Sequence, residues 1–151
     1  MLTRIRRIYK VMNMTVKERF LKYVKYETTS DENSGTCPST AGQKVLLNEL
    51  KNELQTMGIV AKIDDYGYVT AVIPATKSGL KRICFISHVD TSPAVSGRNV
   101  NPQFVNYNGG DIILKNGIKI SLEENPYMSK YIGKELIVTD GETLLGADDK
   151  A

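Results

Sequence analysis

His88 is the single histidine of this 151-residue chain, and Asp90 follows it two positions later. In an extended segment, side chains two apart project to the same side, so an imidazole and a carboxylate would meet here. A metal-bound imidazole commonly gives its other ring N–H to a carboxylate, which fixes both tautomer and ring orientation. His-x-Asp at the end of a strand is therefore the pattern of a metal ligand with its orienting partner. The carboxyl ends of strands in open α/β sheets are also where ligands bind. Alone the pattern is unspecific, because a histidine near a strand end is more often an ordinary structural residue.

Asp148-Asp149 is the second candidate, in the context Leu144-Leu145-Gly146-Ala147-Asp148-Asp149. An apolar run empties into small residues and then into acids. A carboxylate there could bridge two divalent cations, and two-metal sites roughly 3.5–4 Å apart are a hydrolytic device. Acidic pairs also serve as solvated turns or helix caps. A catalytic zinc takes about three protein ligands and one open position, so His88, Asp90 and Asp148 fall short of two such ions. Glu123-Glu124 precedes Asn125-Pro126 and reads as an exposed turn.

Other chemistries lack their residues. There is no Gly-x-Ser-x-Gly elbow and no Walker phosphate loop. Cys84 falls inside an apolar run and is expected to be buried and inert, while Cys37 precedes a proline in a loop. Two cysteines without metal-ligand spacing suit a reduced, cytoplasmic compartment.

Elements must hold these groups in place. Thr15 and Glu18 form a capping-box pair ahead of Val16, Phe20, Tyr23 and Val24, which predicts a helix near 16–26. Thr40 and Gln43 repeat the logic before Leu46, Leu50, Leu54 and Met57, with Gly58 placed to end that second helix. Residues 59–63 and 68–73 are β-branched and flank Asp64–Gly67, which predicts a hairpin. Ile83-Cys84-Phe85-Ile86-Ser87 is a continuous run of strand length that suits a strand covered on both faces. Residues 92–131 are rich in breakers, with a small hairpin expected around Asn116-Gly117. A further strand is expected over 135–139, turning at Asp140-Gly141. Helices and strands interleave, so the fold class is α/β.

Hydrophobic residues make up 41% and charged residues 25%, which excludes a collagen-like or wholly disordered chain. No run reaches the roughly 18–20 apolar residues of a membrane span, and the first dozen residues are charged where a signal peptide would be apolar. The net charge of +3 is uneven: Arg4, Arg6, Arg7 and Lys10 give residues 1–14 a charge of +4 and leave the rest at −1. Leu2, Ile5, Ile8 and Met12 share a helical spacing with those cations, as in a membrane-surface or nucleic-acid arm. A translation start at Met12 or Met14 would remove it. The eight tyrosines do not interleave with basic residues, so the body offers no nucleic-acid surface.

Several segments resemble the peptidase T family. They are Pro38-Ser39-Thr40-Ala41-Gly42-Gln43, Phe85-Ile86-Ser87-His88-Val89-Asp90-Thr91-Ser92-Pro93, the stretch from Ser96 to Gln103, Tyr107-Asn108-Gly109-Gly110-Asp111-Ile112 and the stretch from Thr139 to Ala151. The family comprises tripeptide aminopeptidases among the co-catalytic zinc metallopeptidases, which also include acetylornithine deacetylase-like enzymes. The likeness runs in order from about Thr15 to the last residue. His-x-Asp alone would mark only the broad superfamily. Asn99-Val100-Asn101-Pro102 and Gly109-Gly110-Asp111-Ile112 point to peptidase T and away from a related deacylase.

The resemblance implies the N-terminal part of the family's zinc-peptidase catalytic domain, a mixed sheet flanked by helices. It makes His88 a ligand of one zinc, Asp90 the catalytic aspartate that orients it, and Asp148 the carboxylate bridging both zinc ions. Asp149 is left to local hydrogen bonding. The substrate class is a tripeptide, whose N-terminal residue is released by metal-activated water with a glutamate as general base. The family pattern continues with a Glu-Glu pair, another acidic ligand, a lid and dimerisation domain and a distant histidine. None of these follows here. Residues 15–151 are thus expected to be a truncated catalytic domain behind a separate 1–14 leader. The free chain is expected to be inactive and either poorly soluble or partly disordered, with a homodimer expected of full-length relatives at most and no nucleic-acid or membrane partner. Two rivals stand beside this reading. The chain completes a site in trans with a C-terminal half, or it is a binding module that uses the basic arm.

Overall fold

The computed structural model describes residues 14–143. Residues 1–13 of the leader and the segment holding Asp148 and Asp149 lie outside the described residues.

Helix α1 spans Val16–Tyr23. Glu18 donates its amide to Thr15 Oγ1 at 3.2 Å, and Thr15 donates its own to Glu18 Oε2 at 2.7 Å. Two orphan N–H groups are thereby satisfied reciprocally. The helix stops earlier than the expected residue 26: Val24 is its buried C-cap, and the Tyr26 amide bonds to Tyr23 O at 3.1 Å in the turn that follows. Helix α2 spans Ala41–Thr56 behind Thr40, whose amide donates to Gln43 Oε1 at 3.4 Å. Leu46 and Leu47 face the core. Gly58 ends the turn at φ 81°, a left-handed conformation that costs a side-chain-free residue little.

A buried carboxylate joins the two helices. Glu53 on α2 has a side chain only 3% exposed, and it accepts from Arg19 Nε at 2.6 Å and Lys22 Nζ at 2.8 Å. Lys22 also reaches Glu49 Oε1 at 2.7 Å. Burial opposes ionisation of Glu53, but hydrogen bonds from Lys22, Arg19 and Tyr23 outweigh it and hold the carboxyl below its ordinary range.

Strands β1 (Ala61–Ile63) and β2 (Val69–Ala71) form the expected hairpin beside α2, with Ile63 opposite Val69. Asp64 Oδ1 stabilises its turn by accepting from the amides of Tyr66 at 3.0 Å and Tyr68 at 2.9 Å. Further along, β3 (Gln103–Tyr107) pairs antiparallel with β6 (Lys134–Val138). Between them lie β4 (Ile112–Ile113), β5 (Lys119–Ile120) and a short 3-10 helix, Pro126–Tyr131. Tyr107, Ile112, Leu114 and Met128 form the core of this part, flanked by Val105, Ile120, Leu122, Leu136 and Val138. Lys17 brings α1 to it, pairing with Glu135 and lying 4.8 Å over the Phe104 ring.

The α/β content is as expected, and the named strands form three separate two-stranded antiparallel sheets. The expectation for residues 83–87 fails. Ile83–Ser87 is not a strand, and Ile83, Phe85 and Ile86 are 81%, 92% and 90% exposed. Cys84, expected to be buried, is exposed with them. A strand exists only as part of a ladder, and no described segment pairs with this run.

Candidate functional site

The exposed run delivers the chain to His88, whose Nδ1 lies 2.9 Å from Asp90 Oδ1. The spacing thus brings the pair together as expected, though without a strand beneath it. Both side chains are half exposed, at 49% and 51%. Asp90 Oδ2 accepts a second bond, from Ser30 Oγ at 2.7 Å. The Ser30 hydroxyl has the largest effect and holds the Asp90 carboxyl below its usual range; burial opposes it, and the His88 contact adds a lesser lowering. An ionised carboxylate can only accept, so the contact requires His88 Nδ1 to carry a proton. In the neutral ring the lone pair then lies on Nε2.

A small frame holds Asp90 in place. Thr29 and Thr91 form an isolated parallel bridge, in which Ser30 donates its amide to Thr91 O at 2.9 Å and Thr91 donates to Thr28 O at 3.1 Å. Gln43, in the first turn of α2, donates from Nε2 to Thr28 O at 3.2 Å. The helix can approach because residue 42 is glycine: a Cβ there would stand 1.7 Å from Glu27 O. Thr28, Thr91 and Gln43 are all buried.

Asp148, the other expected metal residue, and its neighbour Asp149 lie outside the described residues. The turn that leads toward them is held by Asp140. Its Oδ1 accepts from the amides of Glu142 and Thr143 and from the Thr143 hydroxyl, each at 3.0 Å. Asn116 Nδ2 donates to Gly141 O at 2.7 Å, tying the β4–β5 hairpin to the same turn. Glu123 and Glu124 sit on an exposed turn, as expected.

For a zinc ion, the donor chemistry of the described residues fits in one respect. His88 is an imidazole already held by a carboxylate, the usual outer-shell arrangement of a metal-bound histidine. Among the described residues, however, no three of His, Cys, Asp and Glu converge as a metal would need. An open groove of about 690 Å³ between α1 and residues 99–104, lined by Leu21, Lys25, Asn99 and Phe104 among others, includes neither His88 nor Asp90.

Sequence reading missed Ser30 and the second role of Gln43. Thr28-Thr29-Ser30 is a plain polar stretch in the sequence, and Gln43 reads there only as a capping residue. Nothing in their spacing signals a partner sixty positions away.

No family model matches the chain. Among individual proteins the similarity is strong. Peptidase T of Caldanaerobacter subterraneus subsp. tengcongensis is 55% identical over 141 residues, which is 90% of this chain and 34% of that protein. Peptidase T of Clostridium acetobutylicum is also 55% identical over 141 residues, covering 90% and 35%. Peptidase T of Bacillus subtilis is 47% identical over 145 residues, covering 93% and 35%. With identity at this level across nine-tenths of its residues, the chain is a homologue of peptidase T that spans about a third of the length of those relatives.

Proposed function

We propose that this chain carries the His88, Asp90 and Asp148 part of a two-zinc tripeptide aminopeptidase centre, and that on its own it does not turn over. The supporting observation is the His88 Nδ1 to Asp90 Oδ1 contact of 2.9 Å, in a homologue of peptidase T. His88 would hold one zinc through Nε2 and Asp148 would bridge two. When bound, the ions supply Lewis-acid polarisation of the scissile carbonyl and an activated water. The chain's own contribution is orientation. Asp90 holds the proton on Nδ1, which leaves the lone pair on Nε2 and raises its basicity. A metal site of this kind needs further donors and a general base, and among the described residues no third ligand joins His88 and Asp90. The unpaired thiols Cys37 and Cys84 suit a reducing, cytoplasmic setting.

The decisive experiment is hydrolysis of a simple tripeptide by the purified chain with added zinc, beside His88→Ala. No turnover in either is expected. Robust turnover lost in the variant would show that a sufficient site exists and overturn the inactive reading.

A second reading is favoured by the exposed apolar run at residues 83–86. The chain completes a site in trans with a polypeptide that carries the remaining two-thirds of a peptidase T. Such a partner would offer both strand edges for residues 83–87 and the missing donors. The alternative of a basic binding arm falls on residues outside those described. No helix among the described residues is long and apolar enough to cross a membrane.

A further inference from the structure

The two oxygens of Asp90 are used separately. Oδ1 faces His88 Nδ1 at 2.9 Å, and Oδ2 accepts from Ser30 Oγ at 2.7 Å. A half-exposed carboxylate bonded at one oxygen can swing about its side-chain bonds, whereas a donor on each oxygen stops that rotation. Ser30 is itself firmly placed. Its amide donates to Thr91 O at 2.9 Å, Thr91 donates back to Thr28 O at 3.1 Å, and Gln43 holds Thr28 O from the other side at 3.2 Å. Thr28 and Thr91 are 0% and 3% exposed, so the ladder joining the two segments is shielded from competing water. Donor and acceptor therefore ride on one rigid unit.

We propose that Ser30 is the positioning residue of His88: by holding Asp90 Oδ2 it aims Oδ1 at Nδ1 and fixes the ring with its proton on Nδ1. A neutral histidine side chain in water prefers the proton on Nε2, so the opposite tautomer must be imposed by a neighbour. The tautomer so imposed presents Nε2 as the lone-pair nitrogen for a divalent cation. That purpose rests on the zinc-peptidase reading, but the location of the proton does not.

His88 is the sole histidine, so its two ring nitrogens give the only imidazole 15N resonances of the chain. The measurement is made on the metal-free 151-residue protein at about pH 8.5, roughly two units above the ordinary imidazole value. Wild type should show a protonated Nδ1 and an unprotonated Nε2. Ser30→Ala should move the larger share of the population to the Nε2–H form, and Ser30→Thr should restore the wild-type pattern. Wild-type nitrogens in Ser30→Ala, or an Nε2–H ring in the wild type, would overturn the assignment. If Ser30→Ala loses the dispersed Thr91 amide signal and so fails to fold, Ser30→Cys decides. It keeps the size with a weaker donor, so a partial shift is expected, and unchanged nitrogens would overturn the assignment. Adding zinc afterwards tests the other reading separately. A wild-type Nε2 that ignores zinc counts against the metal site and leaves the tautomer result standing.

Discussion

Arg19 Nε donates to Glu53 Oε1 at 2.6 Å, so α1 and α2 are joined through a carboxylate that is almost wholly out of water. Lys22 completes the arrangement on the other oxygen at 2.8 Å. Removing one member of a buried ion pair leaves charge without compensation and costs about 3–5 kcal/mol in full burial. Arg19 and Lys22 keep about a quarter of their side chains exposed. Glu53→Ala is therefore expected to destabilise the chain by a smaller amount, about 1–3 kcal/mol, read as a lower urea midpoint.

The same carboxylate makes stability depend on pH. The Glu53 pKa is depressed in the folded chain from an ordinary value of 4.5. A depressed acid contributes stability that is fully present above its unfolded pKa and is lost as pH falls through the folded one. Urea midpoints should therefore hold from pH 7 down to about 5.5 and then decline below about 4.5. Glu53→Gln should flatten that decline. An equal slope in both proteins would show that other carboxylates dominate.

Gln43→Ala should loosen the frame behind Asp90 without touching His88. The amide is buried and donates to Thr28 O and Ser39 Oγ. Thr28 O keeps its bond from the Thr91 amide, so the cost is that of a lost hydrogen bond, about 0.5–1.5 kcal/mol. Faster hydrogen exchange at the Ser30 and Thr91 amides, ahead of that in α2, would locate the damage. Uniform exchange across both would contradict it.

Gly42→Ala inverts a usual rule. Alanine in a helix is ordinarily favoured over glycine by about 1 kcal/mol. Here its Cβ would collide with the Glu27 carbonyl, a backbone atom that a rotamer change cannot move. A loss of about 1–3 kcal/mol is expected instead. A more stable variant would mean that α2 does not approach residue 27 so closely in solution.

Phe85→Ser with Ile86→Ser should raise solubility and leave the thermal midpoint nearly unchanged. Both side chains are about nine-tenths exposed, so little folded-state packing is lost. Contiguous exposed apolar surface favours self-association, which light scattering at increasing concentration would register. A large fall in the midpoint would mean that the run packs against the rest of the chain.

Local signals carried most of what was legible in the sequence. Thr15 with Glu18 marks the start of α1, Gly58 marks the end of α2, and Asn116-Gly117 marks the small hairpin, because each depends on neighbours within a few positions. His88 and Asp90 were legible for the same reason: two residues suffice to bring them together. Ile83–Ser87 was misread because an apolar run describes the surroundings a strand requires, and none of the described segments supplies them. Ser30 escaped notice because its role exists only once α2 has pressed Thr28 against Thr91. Asp148 rests on its local sequence context and on the resemblance.

Cys84 lies between Ile83 and Phe85, and its thiol is exposed. Drawn into a strand, Cys84 and Ile86 would take one face while Ile83 and Phe85 took the other. The chain thus contains its own chemical gauge for that face. A thiol reagent that modifies Cys84 readily in the free protein, and slowly in a mixture, would report that another polypeptide has come to lie against it. Cys37, exposed on a separate loop, serves as the internal clock against which that slowing is timed.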